Sequence, residues 1–376
     1  MAMENKIPIL FITNKLLIGG AEQVIVNQIN LLDKEKFAVY LGLLYTTNKP
    51  NNLYFKVKLN NEHIVHFCFN KLFAGRAFWR LVKFLKKKKI AIVFSSLFEA
   101  NLVSRLAALM AGVKIKIITE QSCYFNKSRW QIWADKFLSY FTDVILGVSE
   151  EVIEFTSRQE KISRKKFRLM RQISDLQLAG VFAKKSLRQS LGIPENAFVA
   201  MTHGRFSPEK AQHRIIKAAE KIIGQGEKGI YFLIVGNGVL EEEMRAEIKA
   251  KNLENFVKVI ADAKRAKEYL AAGDIFLLTS DREGSPVAML EAMNAGLFAV
   301  ASAVGGVPDV LGDGAGGIMV KPGDIGALAE KIVWCRDHKD LLAGKKEIIK
   351  EIARKNSGDI RELEAILLDL WRKKAG

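Results

Sequence analysis

Short apolar runs, each leading into a longer stretch of helical periodicity, recur along this chain and constrain its fold more than any other feature. ILFIT, FAVYLGLLY, AIVFSS, KIKIIT, DVILGVS and FRLM lie in the first half; FVAMTHG, YFLIVG, VKVI, IFLLTS, FAVAS and GIMV lie in the second. A strand that is apolar on both faces leaves no side for water, so strands of this kind alternating with helices form parallel sheets covered on two sides. Helices are expected to begin near Ala21, Arg76, Glu99, Ser128 and Glu150. The strand signal lapses across RQISDLQLAGVFAKKSLRQSLGIPENA before a new series starts. The pattern therefore predicts an α/β chain of two doubly wound domains, residues 1–178 and 179–358. A closing helix over 359–376 belongs to a helical stretch, roughly 340–374, that is longer than one domain needs and is expected to pack back across the seam.

Size agrees with two domains: 376 residues, 49% of them apolar, can fill two ordinary cores. No run of 18 apolar residues occurs and the first thirty residues lack a signal-peptide layout, so the expected location is the cytoplasm. Cys68, Cys123 and Cys335 are scattered without metal-ligand spacing, which predicts reduced thiols and neither a zinc site nor a disulfide frame. The net charge of +17 is uneven. Residues 1–185 hold 30 Lys and Arg against 14 Asp and Glu, and the remainder 28 against 27. The first half thus predicts a surface for a polyanion: nucleic acid, an anionic membrane or an acidic substrate.

In open α/β sheets ligands bind beyond the carboxyl ends of the strands, and the motifs sit there. Gly19 and Gly20 follow the first strand at a helix mouth, where glycine lets backbone N–H groups approach an anion or simply forms a tight turn. Gly236 and Gly238 hold a similar place, but the helix after them opens with three glutamates that repel a pyrophosphate, so they are read as a turn. Arg205 and Lys210, five apart after a strand end, combine a forked donor with a point charge and suit a diphosphate. In DREGSPVAMLE, Ser285 is a good N-cap and Pro286 a good first helical residue, so a helix is expected to run to Gly296. Glu283 then precedes the helix mouth, and Glu291 lies roughly 7–8 Å inside it at about 1.5 Å per residue. A diphosphate held by backbone N–H groups near Ser285 and Val287 and by the two cations would leave both carboxylates for flanking hydroxyls, a ribose and a sugar. The alternative is a loop acid and a paired helical acid.

LLTSDREGSPVAMLEAMNAG, with GRFSPEK, GGAE, VGGVPDVLGDGAGGIMVKPGD and ANLVSRLAALMAG, resembles the GT-B retaining glycosyltransferases of the family 4 type, in the right order and over nearly the whole chain. The resemblance implies two Rossmann-like domains facing across a cleft, a nucleotide-sugar donor bound mainly by the second, and no cofactor or required metal. It implies that Glu283, Arg205 and Lys210 act at the reacting centre, Glu283 on the donor sugar and the two cations on the diphosphate. Glu291 would hold the ribose, and Gly19, Gly20, Gly204, Gly284, Ser285 and Val287 would complete donor binding. The chain departs from the pattern at Gln121 and near Ser96, where many relatives carry His, at RQISD (171–175) in place of PNGID, at Ala211 in place of Gly, and at ADAKRA in place of a Gly-containing segment.

KLFAGRAFWRLVKFLKKKK, residues 71–89, mixes Phe78 and Trp79 with a lysine cluster and suits an anionic bilayer or, equally, a core helix with a solvated basic end. No nucleic-acid module is recognisable. The expected function is transfer of a sugar, with retention, from a UDP- or GDP-sugar to a lipid-linked or cell-envelope glycan at the inner face of a membrane. The alternatives are a soluble transferase acting on a metabolite and a non-catalytic relative that binds sugar nucleotide.

Overall fold

A computed structural model describes residues 6–17, 19–46, 52–69, 74–173 and 184–375. The chain divides into one compact unit of residues 1–173 and 358–376 and a second of residues 174–357.

In the first unit β1 (Ile7–Thr13), α1 (Gly20–Leu31), β2 (Phe37–Leu43), β3 (Ile64–His66), α2 (Ala74–Lys87), β4 (Ile92–Ser96), α3 (Phe98–Ala111), β5 (Ile115–Glu120), α4 (Arg129–Ser139), β6 (Val144–Gly147), α5 (Glu150–Glu160) and β7 (Phe167–Leu169) follow in order. The seven strands pair in parallel as β3-β2-β1-β4-β5-β6-β7. Register runs straight, Ile9 against Val39 on one side and Ile92 on the other, so alternate residues of β1 feed opposite cores. Ile9 and Phe11 pack beneath α1; Leu10 and Ile12 pack with Leu81, Val82 and Ala107 beneath α2 and α3. α2, α3, α4 and α5 lie side by side in that order.

The second unit contains α6 (Lys184–Ser190), β8 (Phe198–His203), α7 (His213–Gly224), β9 (Ile230–Val235), α8 (Glu241–Ala250), β10 (Val257–Ile260), β11 (Ile275–Leu278), α9 (Val287–Asn294), β12 (Phe298–Ser302), α10 (Val307–Leu311), β13 (Gly317–Val320), α11 (Ile325–Asp337), α12 (Lys339–Gly344) and α13 (Lys346–Asn356). Its six parallel strands pair as β10-β9-β8-β11-β12-β13 around one core. The chain then returns to the first unit as α14 (Ile360–Ala375), whose Leu363 and Leu367 are fully buried in the core that also holds Ile25 and Ile29 of α1. Both sheets have the doubly wound order, with β1/β4 and β8/β11 as their switch points.

The apolar runs named from the sequence are all strands. One strand, β3, carried no signal: three half-buried residues at a sheet edge have neither the length nor the all-apolar composition that marked the others. The helical stretch of roughly 340–374 is three helices, broken at Lys345 and again where Gly358 must lie flat on the first unit. Its N–H donates to the Gln172 carbonyl at 3.0 Å, and a Cβ there would stand 2.0 Å from the Arg171 carbonyl oxygen. α9 begins one residue later than expected. Pro286, at ψ 62°, is the capping residue whose carbonyl accepts from the Leu290 N–H at 3.0 Å, so Ser285 lies outside the helix instead of capping it. The far end matches expectation. Gly296, at φ 85°, donates to Met293 and Leu297 donates to Ala292, the paired bonds that close a helix on a left-handed glycine. Among the described residues no helix is long and apolar enough to cross a membrane.

Candidate functional site

Two loops leave the switch point of the second unit, 204–212 after β8 and 279–286 after β11, and hydrogen bonds stitch them together. Thr279 Oγ1 donates to the Lys210 and Ala211 carbonyls at 3.2 and 3.1 Å, and the Asp281 N–H donates to the Glu209 carbonyl at 2.8 Å. Arg214, on α7, braces the second loop through the Thr279 carbonyl at 3.0 Å and Asp281 at 2.6 Å. The frame therefore fixes the backbone on which Lys210 and Glu283 stand.

Those two side chains meet. Lys210 Nζ lies 2.7 and 2.9 Å from the two Glu283 carboxylate oxygens, and Ser280 Oγ donates to one of them at 2.6 Å. Glu283 is only 7% exposed, so its charge is viable there because these donors satisfy it. A carboxylate has about four lone-pair sites, so capacity remains for a hydroxyl donor. Gly305 explains how the loop after β12 fits against this site. Its φ is +57°, and a Cβ there would stand 1.7 Å from the Glu283 carbonyl oxygen.

Glu291, one turn into α9 and also 7% exposed, has its own pair of neighbours. Lys267 Nζ lies 2.8 Å from Oε1, and His203 Nε2 lies 3.4 Å from Oε2 without an aligned hydrogen bond. Burial lowers the His203 pKa below its ordinary value, and the nearby Glu291 carboxylate only partly offsets that. Burial thus favours the neutral imidazole of His203 at the end of β8. His203, Lys267 and Ser280 were not picked out from the sequence. His203 had a signal in its place, a polar residue at a strand end directly before Gly204; Lys267 had none, because nothing in the spacing links it to Glu291.

The remaining residues singled out are distributed around this pair. Arg205 is exposed on the first loop, 3.5 Å from Glu209, and is not drawn into the Lys210–Glu283 contact. Gly204, at φ +151°, has open space where a Cβ would be. Gly284 and Pro286 are buried, and Ser285 and Val287 half-buried, at the mouth of α9. Gly236 and Gly238 serve packing: a Cβ on either would fall about 2 Å from the Gly204 or Phe206 carbonyl oxygen. α8 does open with Glu241, Glu242 and Glu243.

Gly19 and Gly20 belong to the first unit, where they open α1 beyond the end of β1. There Asn14 Nδ2 donates to Glu99 at 3.1 Å across the β1/β4 switch point. Gln121, after β5, bonds Thr119 at 2.9 Å and accepts from Gln172 at 2.5 Å. Beside it lies a buried charge cluster. Lys127 pairs with Asp135 at 2.9 Å, with Glu120 at 3.8 Å and with Glu160, while Arg105 pairs with Asp135. Burial pushes the Glu160 carboxyl up to about 8, with Glu120 and Asp135 adding repulsion. Burial opposes the charge of Lys127, but Glu120, Asp135 and Glu160 overrule it and hold the amine protonated. In the 71–89 segment Phe78 packs on the core and Trp79 is exposed, as are Lys86 to Lys89; Lys71, Leu72 and Phe73 lie outside the described residues, as do Ser174 and Asp175 of RQISD. Among the described residues no group of three or more His, Cys, Asp or Glu is arranged to hold a metal ion.

Residues 183–355 match the family model described as Glycosyl transferases group 1. The chain is 25% identical over 349 residues to the UDP-Gal:alpha-D-GlcNAc-diphosphoundecaprenol alpha-1,3-galactosyltransferase of Escherichia coli, covering 90% of each protein. It is 27% identical over 337 residues to the O-antigen biosynthesis glycosyltransferase WbnH of Escherichia coli, covering 86% of this chain and 89% of WbnH. Among solved structures, Anabaena HepE in complex with UDP-glucose superposes with a TM-score of 0.82 at 21% identity, covering 97% of this chain and 99% of HepE.

Proposed function

We propose that this chain, a member of the glycosyl transferases group 1 with the GT-B fold, transfers a sugar from a UDP- or GDP-sugar to a lipid-linked or cell-envelope glycan with retention of anomeric configuration. The observation that carries this reading is the pair of buried carboxylates at the β8/β11 switch point, each held by its own lysine. One carboxylate before a helix mouth and one a turn inside it suit hydroxyl groups on either side of a diphosphate. Lys210 and Arg205 then supply the positive charge that the diphosphate needs, and Glu283 accepts from the sugar while Glu291 accepts from the ribose.

In this reaction the acceptor hydroxyl oxygen bonds to the anomeric carbon while the bond from that carbon to the diphosphate oxygen breaks. The electron pair leaves with the nucleoside diphosphate, and the hydroxyl proton passes to the leaving phosphate on the same face. The cations matter most as negative charge grows on the leaving group, which is where preorganised donors lower a barrier. In this proposal side chains, not a metal, supply the positive charge. The first unit serves the acceptor side, and its basic surface suits an acceptor carried on an anionic membrane. The galactosyltransferase relative, whose name specifies UDP-Gal and a diphosphoundecaprenol-linked sugar, supports both the donor and acceptor classes.

A thermal-shift panel of UDP-, GDP- and ADP-sugars tests the proposal. A ligand at about 100 times its dissociation constant adds about 2.7 kcal/mol of stability, so one nucleotide class should stand clear of the others. No shift with any of them would remove the donor reading.

A further inference from the structure

α4 is amphipathic with its large apolar side chains turned outward. Its buried residues are Ala134, Asp135, Leu138 and Ser139, small or polar apart from one leucine. Its exposed stripe is Trp130, Trp133 and Phe137, continued on the same side by Tyr140 and Phe141 just past its end; Trp133 is 67% exposed and Tyr140 71%. Most of the rings touch a neighbour, in two groups. Trp133 stacks on Phe137 with centroids 5.6 Å apart, Phe137 meets Phe141 edge-on at 5.6 Å, and Trp130 meets Phe98 at 5.5 Å. Leu109 and Met110 on neighbouring α3 are exposed as well. Aromatic side chains in one exposed patch of this extent mark a surface that is covered in use.

The charges around the patch identify what covers it. Between residues 63 and 142 the sequence has three carboxylates. Glu120 and Asp135 are buried in the Lys127 cluster, which leaves Glu99, exposed at the start of α3 and accepting from Asn14; beyond this window, α5 on the far side of α4 presents Glu150, Glu151 and Glu154. Arg129 and Lys136 lie on α4 itself, and Lys83, Lys86 and Lys87 are exposed on α2, the next helix but one in the same layer. We infer that the outer face of α3 and α4 seats on an anionic bilayer, with the tryptophan and phenylalanine rings in the interface and the lysines of α2 at the headgroups. Indole and phenol rings favour that depth, and a surface on which exposed basic residues outnumber exposed acids is attracted to anionic lipid and repelled by a second copy of itself. The inference deepens the lipid-linked acceptor reading and rests on it.

Co-sedimentation of the full chain with vesicles of equal parts phosphatidylglycerol and phosphatidylcholine, and with pure phosphatidylcholine, reads the contact directly. The wild type should bind the anionic vesicles preferentially, and the double variant Trp133→Ser, Phe137→Ser should partition about tenfold less. Both side chains are exposed, so the variant's thermal midpoint and its transfer to a soluble short-chain acceptor analogue should match the wild type. Loss of that transfer in both proteins would instead count against the reaction, which keeps the two failures apart. Equal vesicle binding by wild type and variant, or a wild-type dimer that the double variant dissolves, would overturn the membrane assignment.

Discussion

Replacing Gly305 by alanine perturbs the proposed site without touching any side chain that contacts substrate. The new Cβ would begin 1.7 Å from the Glu283 carbonyl oxygen, where carbon and oxygen do not approach within 3.0 Å, so one of the two loops has to retreat by on the order of 1 Å. φ at this position is +57°, which adds about 1–2 kcal/mol for an L-residue. The strained backbone carries Glu283, whose carboxylate bonds Lys210 and Ser280, so the displacement is delivered to the group assigned to the sugar. A misplacement of about 1 Å costs about 100-fold in turnover. Gly314→Ala is the control: φ is +72° there, but a Cβ meets nothing within 4 Å, so it carries the strain without the collision. Steady-state transfer rates of both variants, with thermal midpoints to confirm folding, separate the terms. A Gly305→Ala enzyme as fast as Gly314→Ala would refute the argument that this close approach positions Glu283.

Two further outcomes are expected. Arg205→Ala with Lys210→Ala should lower turnover by about 100-fold or more while the protein stays folded, and near-normal turnover in that double variant would remove the diphosphate site as drawn. Glu160, raised to about 8 by burial, holds its proton in the fold at pH values where the unfolded chain has lost it; its contribution is complete below its unfolded value of 4.5 and lost as pH rises through 8. Lys34, lowered to about 8 by burial, has the opposite slope, so the readout is the stability difference between wild type and Glu160→Gln, which should shift against the wild type by about 1 kcal/mol from pH 7 to 9; a constant difference refutes it.

The sequence made the two sheets legible because parallel strands buried on both faces are written as continuous apolar runs, from ILFIT to GIMV. It concealed β3 because an edge strand of three residues needs no such composition. The break at Gly358 was equally hidden, since the glycine answers to the backbone of Arg171 and Gln172, which only the fold brings near. At the site, Glu283, Glu291 and Lys210 were visible through their spacing from strand ends and a helix start. The partners that tolerate those carboxylates in a buried place were not: His203 and Lys267 reach Glu291 from separate elements, and long-range pairing leaves no local pattern. The same holds for α4, where periodicity shows an aromatic stripe but not which side of the helix the protein turns to solvent.

The central claim is that Glu291 serves the nucleoside and Glu283 the sugar, and calorimetric titration of Glu283→Gln and Glu291→Gln with the preferred nucleoside diphosphate and its sugar conjugate tests it most directly. Glu283→Gln should bind the free nucleoside diphosphate at least as tightly as the wild type, since it releases Lys210 from its ion pair, while losing the added affinity for the sugar. Glu291→Gln should weaken both ligands by about tenfold or more, the worth of a hydrogen bond to a charged group. Equal losses of nucleoside diphosphate affinity in the two variants, or none in Glu291→Gln, would contradict the account.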